Sequence, residues 1–441
     1  MFRRHWSGLP ADPVFPTDLF ELGYFIHNSD EIREVEDPDN YIKYAAISKI
    51  IISRLTALGL ESLRLPLGSA PSEPHVPVYM SKNISIASRV VIVFGEPRHP
   101  FGYISGRVVK GEGGIDKGSM VGLTRGVLGQ ASSSSDSSPP GILLANTGEL
   151  WWWPEGKRSL TQVSRQNIPM PSAVHTPRRH DDRKNSIQSN RTVAEHIQYV
   201  FEKVIPTITK NCANLDVIAA GDAADEVERY LNNDQVWKKI GGRMNSLAVM
   251  GGFFDSKDVV CHGFKEFMQD RGRAYIIHQS ELDTMIAGPR GNPAASVFTM
   301  FGCPSYSAGE NCNMIELILS HAQPALLKWI QQVAMKGAAY KNMEPDVVGD
   351  GSGVSPEQMQ QFMNTWAGAA EATANGAGPI IHSGSKKGSE QDEGAQNGIA
   401  KQSGADSTAV QSPEGKSSDV EGVTEAAKNM RVTAKEEEDK E

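Results

Sequence analysis

Five short β-rich apolar runs recur along the chain: RVVIVFG from Arg89, GILLANTG from Gly141, LDVIAAG from Leu215, NSLAVMGG from Asn245 and RAYIIHQ from Arg273. They are apolar at consecutive rather than alternate positions, so a strand formed from any of them must be covered on both faces. The segments between them are long enough to hold helices. Strands covered on both faces and alternating with helices predict a three-layer α/β sandwich with a parallel-rich central sheet.

The intervening helices carry the expected periodicity and stop signals. Ala46, Ile47, Ile50, Ile51, Leu55 and Leu58 form one apolar stripe, closed by Gly59. Thr192 and Glu195 form a capping box ahead of Val193, Ile197, Val200, Phe201 and Val204, with Pro206 expected beyond the helix. Val260, Phe264, Phe267 and Met268 make a second helix, and a third runs from Met314 to Val333, kinked at Pro324. Upstream, Phe20, Leu22 and Tyr24 alternate before Asn28-Ser29-Asp30, which predicts a short hairpin.

Two insertions interrupt the plan: a flexible Ser/Pro loop at 130–140 and a polar segment at 165–191 with a basic core. After about Tyr340 the composition shifts to Gly, Ser, Ala, Lys and Glu, with no aromatic beyond Trp366. Ordering a residue costs ~1–2 kcal/mol, which so polar a segment cannot recover by burial. The expectation is one domain over 15–340 and a disordered tail over 341–441, with transient helix at Glu357 to Ala374.

The net charge of −9 argues against coating nucleic acid through overall charge, which leaves only local contacts. The start MFRRHWSGLPADP is not followed by a secretion signal's apolar stretch. None of Cys212, Cys261, Cys303 and Cys312 forms C-x-x-C, so a reducing intracellular compartment is expected. Cys303 and Cys312 near His262 do not have a spacing that requires a metal. No G-x-x-x-x-G-K-[ST] or strand-following G-x-G-x-x-G appears, so no cofactor is expected. No run approaches the roughly 20 apolar residues of a membrane span.

The segment Leu215 to Leu231 reads as strand, tight turn and helix, the arrangement that presents a nucleophilic Ser in α/β hydrolases. Its turn reads Ala220-Gly221-Asp222-Ala223-Ala224 and has no Ser. Asp222 is read as a turn residue and helix N-cap. The competing reading makes it a nucleophile, with His278 or His262 as base and Asp255 as orienter. Ser305 and Ser307 are read as turn formers. Trp151, Trp152 and Trp153 cannot all point into one core, so at least one is expected exposed or packed under an insertion; beside structural packing, the alternative is that they stack with Lys157 and Arg158 on a base or a peptide and, with Arg178 and Arg179, form the partner surface. The strip Arg178, Arg179, Arg183 and Lys184 reads as a solvated loop, with a nucleic-acid or nuclear-import contact as the alternative.

Taken together, FPTDLFELGYFIHNSDEIREV, VPVYMSKNISIASRVVIVFGEPRHPFGYISGRVV, LDVIAAGDAADE and CPSYSAGENCNMIELILSHAQPALLKWI resemble the Arb-two domain, from about Phe15 to Val333. The resemblance implies an α/β hydrolase-like fold. In hydrolase-like relatives the first strand ends in His-Gly, where this chain has Phe94-Gly95. The elbow Ser corresponds to Gly221 or Asp222, the acid to Gly251 or Gly252, and the His to about Asn313, which reads as a helix N-cap. With every catalytic role altered, the resemblance implies a non-catalytic module of fungal small-RNA silencing or heterochromatin assembly. Its partners would be Argonaute-complex or histone-deacetylase subunits, with RNA contact indirect, in the nucleus and also the cytoplasm. The alternatives are an active hydrolase using Asp222 or a displaced Ser, and an RNA or chromatin binder acting through the basic insertion.

Overall fold

The computed structural model describes residues 18, 19, 21, 24–26, 30, 32–34, 43–166, 168 and 180–343. The expected tail, including its transient helix, lies outside the described residues from 344 onward, as do Arg178 and Arg179. No described helix is long and apolar enough to cross a membrane.

All five apolar runs form strands of a single sheet of nine. In chain order the nine are β1 (Leu60–Leu65), β2 (Val76–Ser81), β3 (Arg89–Phe94), β4 (Gly141–Ala145), β5 (Asn214–Ala220), β6 (Met244–Met250), β7 (Gly272–Ile276), β8 (Met285–Ala287) and β9 (Ser305–Ser307). Their spatial order is β8-β9-β7-β6-β5-β3-β4-β2-β1. The six strands from β9 to β4 run parallel, whereas β1, β2 and β8 join antiparallel. An antiparallel first pair, a reversal of order at β3 and β4, and a strand-turn-helix after β5 together make an α/β hydrolase fold.

Period-two geometry sends alternate side chains to opposite faces. In β3, Val91 and Val93 join one core, while Val90, Ile92 and Phe94 join the other. The first core is closed by α1 (Lys43–Ala57), α2 (Met120–Leu128) and the 19-residue α6 (Ile318–Lys336), which contains Pro324. The second is closed by α3 (Val193–Tyr199) with its continuation to Ile208, by α4 (Asp222–Leu231) and by α5 (His262–Arg271).

Several elements differ from expectation. Thr192 does accept the Glu195 N–H at 3.2 Å, but Glu195 reaches back to Arg191 N–H rather than to Thr192. The helix also passes through Pro206: a π turn at Val200–Val204 starts a new helical segment there, where Pro needs no N–H. Val260 is 80% exposed and precedes α5. The upstream hairpin pairs Tyr24–Ile26 with Ile32–Glu34. The Ser/Pro loop is tied down rather than loose, because Ser132 N–H donates to Ser138 C=O and Ser88 donates to Asp136.

Candidate functional site

The chain turns sharply where β5 ends. Gly221 has φ 56 and ψ −135, a strained backbone state that side-chain-bearing residues rarely adopt, and α4 starts at Asp222. The sharp point of the elbow is thus Gly221, which carries no side chain. Asp222 is the first helical residue rather than the N-cap, and it is exposed.

A Cβ placed on Gly221 would land on Glu96 Oε2, far inside van der Waals contact. Glu96 stands directly after Phe94-Gly95 at the end of β3. Its carboxylate accepts the backbone N–H groups of Asp222 and Arg98. In a hydrolase the residue after the nucleophile and the loop after β3 supply the oxyanion donors. Glu96 thus fills the space that a side chain at Gly221 would need and holds the N–H groups at both of these places. Burial, then the nearby Asp222 charge, pushes its carboxyl up to about 7, against the opposing pull of Arg98 and the two N–H groups.

Around this floor opens a cleft of about 680 Å³ at the C-terminal ends of the strands. Phe253, Ile276, Ile277, Val297, Phe298 and Met314 form much of its wall. At its polar end Arg98 lies 3.4 Å from Asp222, with both side chains more than half exposed, so the pair contributes little. Arg107 lies 3.1 Å from Glu316, and His99 Nε2 is 3.8 Å from the same carboxylate. Burial lowers the basicity of His99 more than Glu316 restores it.

The other positions that the resemblance singles out lie around the same cleft or in the core. A Cβ on Gly251, at φ 79, would lie 2.8 Å from Ile315, and one on Gly252 would lie 2.7 Å from Asp225 Oδ1. Asp225 instead accepts the Phe253 and Phe254 N–H groups at 2.7 and 3.1 Å. Asn313 lines the cleft but is exposed and is not a cap; Met314 precedes the following helical turn. Phe94 packs on Phe201 in the second core.

The alternative triad is not assembled at the cleft. His278 contacts Ser280, His262 pairs with Glu266, Asp255 caps Lys257 N–H, and none of the three lines the cavity. Ser305 is a buried residue of β9 rather than a turn former, whereas Ser307, at the end of the same strand, accepts the Gly309 N–H at 3.0 Å as an ST turn does. Cys303 and Cys312 are buried and His262 is exposed; among the described residues no three His, Cys, Asp or Glu gather at metal-binding spacing.

The tryptophan run forms a hairpin, Trp151–Trp153 against Arg158–Leu160. Trp152 packs with Val76 and Ile187, and Trp151 with Leu160 and Ile168, so neither is available as a surface anchor. Trp153 is half-buried under the Arg158 guanidinium at 5.4 Å, and Lys157 stands exposed at the turn with φ 50. Alternation along a strand separates Trp152 from its two neighbours. Sequence reasoning missed Glu96, Arg98, His99 and Arg107; the only signal was their place in GEPRHPFGYISGR, directly after the altered His-Gly position.

A family model described as the Arb2 domain matches residues 15–282, more than half of the 441-residue chain. No curated protein matches. Among solved structures, a double mutant of the esterase rPPE is 10% identical, with 67% of this chain and 89% of that chain covered and a TM-score of 0.28. DphMB1 is 11% identical, with 62% and 85% covered and a TM-score of 0.28. The esterase LipW from Mycobacterium marinum is 10% identical, with 75% and 74% covered and a TM-score of 0.22. At such distances the fold assignment rests on strand order and not on these likenesses.

Proposed function

The chain belongs to the Arb2 domain family, and from that premise we propose that it is a non-catalytic interaction module built on a hydrolase fold. One observation carries the reading: at the elbow the nucleophile is Gly221, and Glu96 occupies both the nucleophile's space and the oxyanion donors. Acyl transfer needs an attacking group, a base in reach and free donors for the developing oxyanion. With Glu96 seated, this elbow lacks the attacking side chain at Gly221 and the free oxyanion donors.

Freed from chemistry, such a fold remains useful through loops held on a rigid frame. The family resemblance suggests Argonaute-complex or histone-deacetylase subunits as partners, in silencing or heterochromatin assembly in the nucleus. The tip of the tryptophan hairpin supports a contact there, since it joins the half-buried Trp153 to two exposed cations, Lys157 and Arg158. Arg178 and Arg179 are proposed to extend it.

The test has two arms. Wild-type protein should show no turnover on a panel of esters and amides, and Asp222→Asn should leave capture of an Argonaute-complex or deacetylase subunit unchanged. Lys157→Ala with Arg158→Ala should weaken that capture by about 2 kcal/mol while the circular dichroism spectrum stays native. Turnover that disappears in Asp222→Asn would establish an enzyme instead.

A further inference from the structure

We propose that the cleft binds a small apolar amine, with its hydrocarbon or aromatic body against Phe253, Ile276 and Phe298 and its ammonium on the Glu96 carboxylate. The first support is shape. A concavity of about 680 Å³ fits a drug-sized molecule, and its walls are chiefly apolar with charge confined to one end.

The second support is the charge inventory. Among the described residues lining the cleft, Glu96, Asp222 and Glu316 are acids, and only Arg98 and Arg107 are permanent cations. Arg98 stands by Asp222 and Arg107 by Glu316. At Glu96 the repulsion of Asp222 outweighs the attraction of Arg98. His99 adds no lasting cation, because burial lowers its basicity. Asp225, from the same helix as Asp222, lies behind Gly252 and is opposed by the Arg229 cation, so it leaves this balance unchanged. The floor therefore holds one more carboxylate than guanidinium, and a ligand that brings one positive charge balances it.

The third support is the wall itself. Phe253 and Phe298 lie 6.0 Å apart between centroids, and Phe298 meets Phe301 edge-on at 4.9 Å. Aromatic faces attract an ammonium as well as an apolar body. A carboxylic acid would instead have to displace Glu96 from the Asp222 and Arg98 N–H groups.

The inference takes the position of Glu96 from the preceding reading but does not depend on absence of turnover, so binding and hydrolysis assays can fail separately. Calorimetry and thermal shift on the full chain would compare phenylbutylamine, phenylbutanol and phenylbutyrate, three probes of one skeleton. The amine should bind about tenfold more tightly than the alcohol at pH 8, and the margin should shrink at pH 6 as Glu96 takes up a proton. Glu96→Gln should abolish the margin, and Phe298→Ala should weaken all probes that bind. If Glu96→Gln does not fold, the wild-type pH dependence decides. Equal affinity for amine and alcohol, preference for the acid, a margin that survives Glu96→Gln, or no binding would each overturn the proposal.

Discussion

The two ends of the central sheet each bury a carboxylate, and they treat it in opposite ways. At the N-terminal end, Asp216 of β5 pairs with Arg89 of β3, both almost fully buried. Asp216 also accepts Asn245 at 2.7 Å and Ser246 at 2.6 Å, while Arg89 donates to the Ala131 and Ile330 carbonyls. At the C-terminal end, Glu96 has two backbone donors but sits beside another acid, and its carboxyl is pushed up to about 7. The first arrangement satisfies its charges and fixes two adjacent parallel strands. The second retains an acid where an apolar or smaller residue would cost less, which is how functional sites depart from stability.

Removing a partner at the N-terminal end should have the largest effect. Asp216→Ala leaves the Arg89 guanidinium buried without its counter-ion, and urea denaturation should show a loss of about 3–5 kcal/mol. A loss below about 1 kcal/mol would erase the contrast between the two ends.

Glu96 should behave in the opposite sense. Because its folded pKa is raised, its contribution is fully present below the unfolded value and is lost as pH rises through about 7. Between these limits the wild type should forfeit roughly 3 kcal/mol relative to Glu96→Gln. Denaturation of both proteins at pH 5 and pH 8 measures this. Parallel pH profiles would show that Glu96 is as well accommodated as Asp216.

A third carboxylate sharpens the comparison. Glu228 lies on the buried face of α4 with neither oxygen hydrogen-bonded, and burial raises its pKa well above the usual range. Glu228→Met should gain about 1–2 kcal/mol at neutral pH in the same assay. A loss instead would point to a partner for Glu228 in the folded core.

The middle of the sheet was legible in the sequence because β3 to β7 are buried on both faces and read as unbroken apolar runs. β8 and β9 were not, since three residues such as Ser305-Tyr306-Ser307 carry no periodic signal and become a strand only beside β7. The elbow could be read as a strand-turn-helix, yet the nucleophile position stayed open between Gly221 and Asp222. Positive φ is a property of the folded turn, and it puts Gly221 at the sharp point of the elbow. Glu96 was illegible for a deeper reason: it meets Gly221 only when adjacent parallel strands bring two distant loops together. The buried Trp151 and Trp152 likewise depend on Ile168 and Ile187 from the polar insertion, which composition alone marks as loop.

The seating of Glu96 in the elbow is tested most directly by a double-mutant cycle between Gly221→Ala and Glu96→Ala. Gly221→Ala alone must strain the positive-φ turn and also drive the Glu96 carboxylate off the Asp222 and Arg98 N–H groups. With Glu96→Ala in place only the strain remains, so the Gly221→Ala penalty should fall by about 1–2 kcal/mol. Equal penalties in the two backgrounds would mean that Glu96 does not occupy the nucleophile's place.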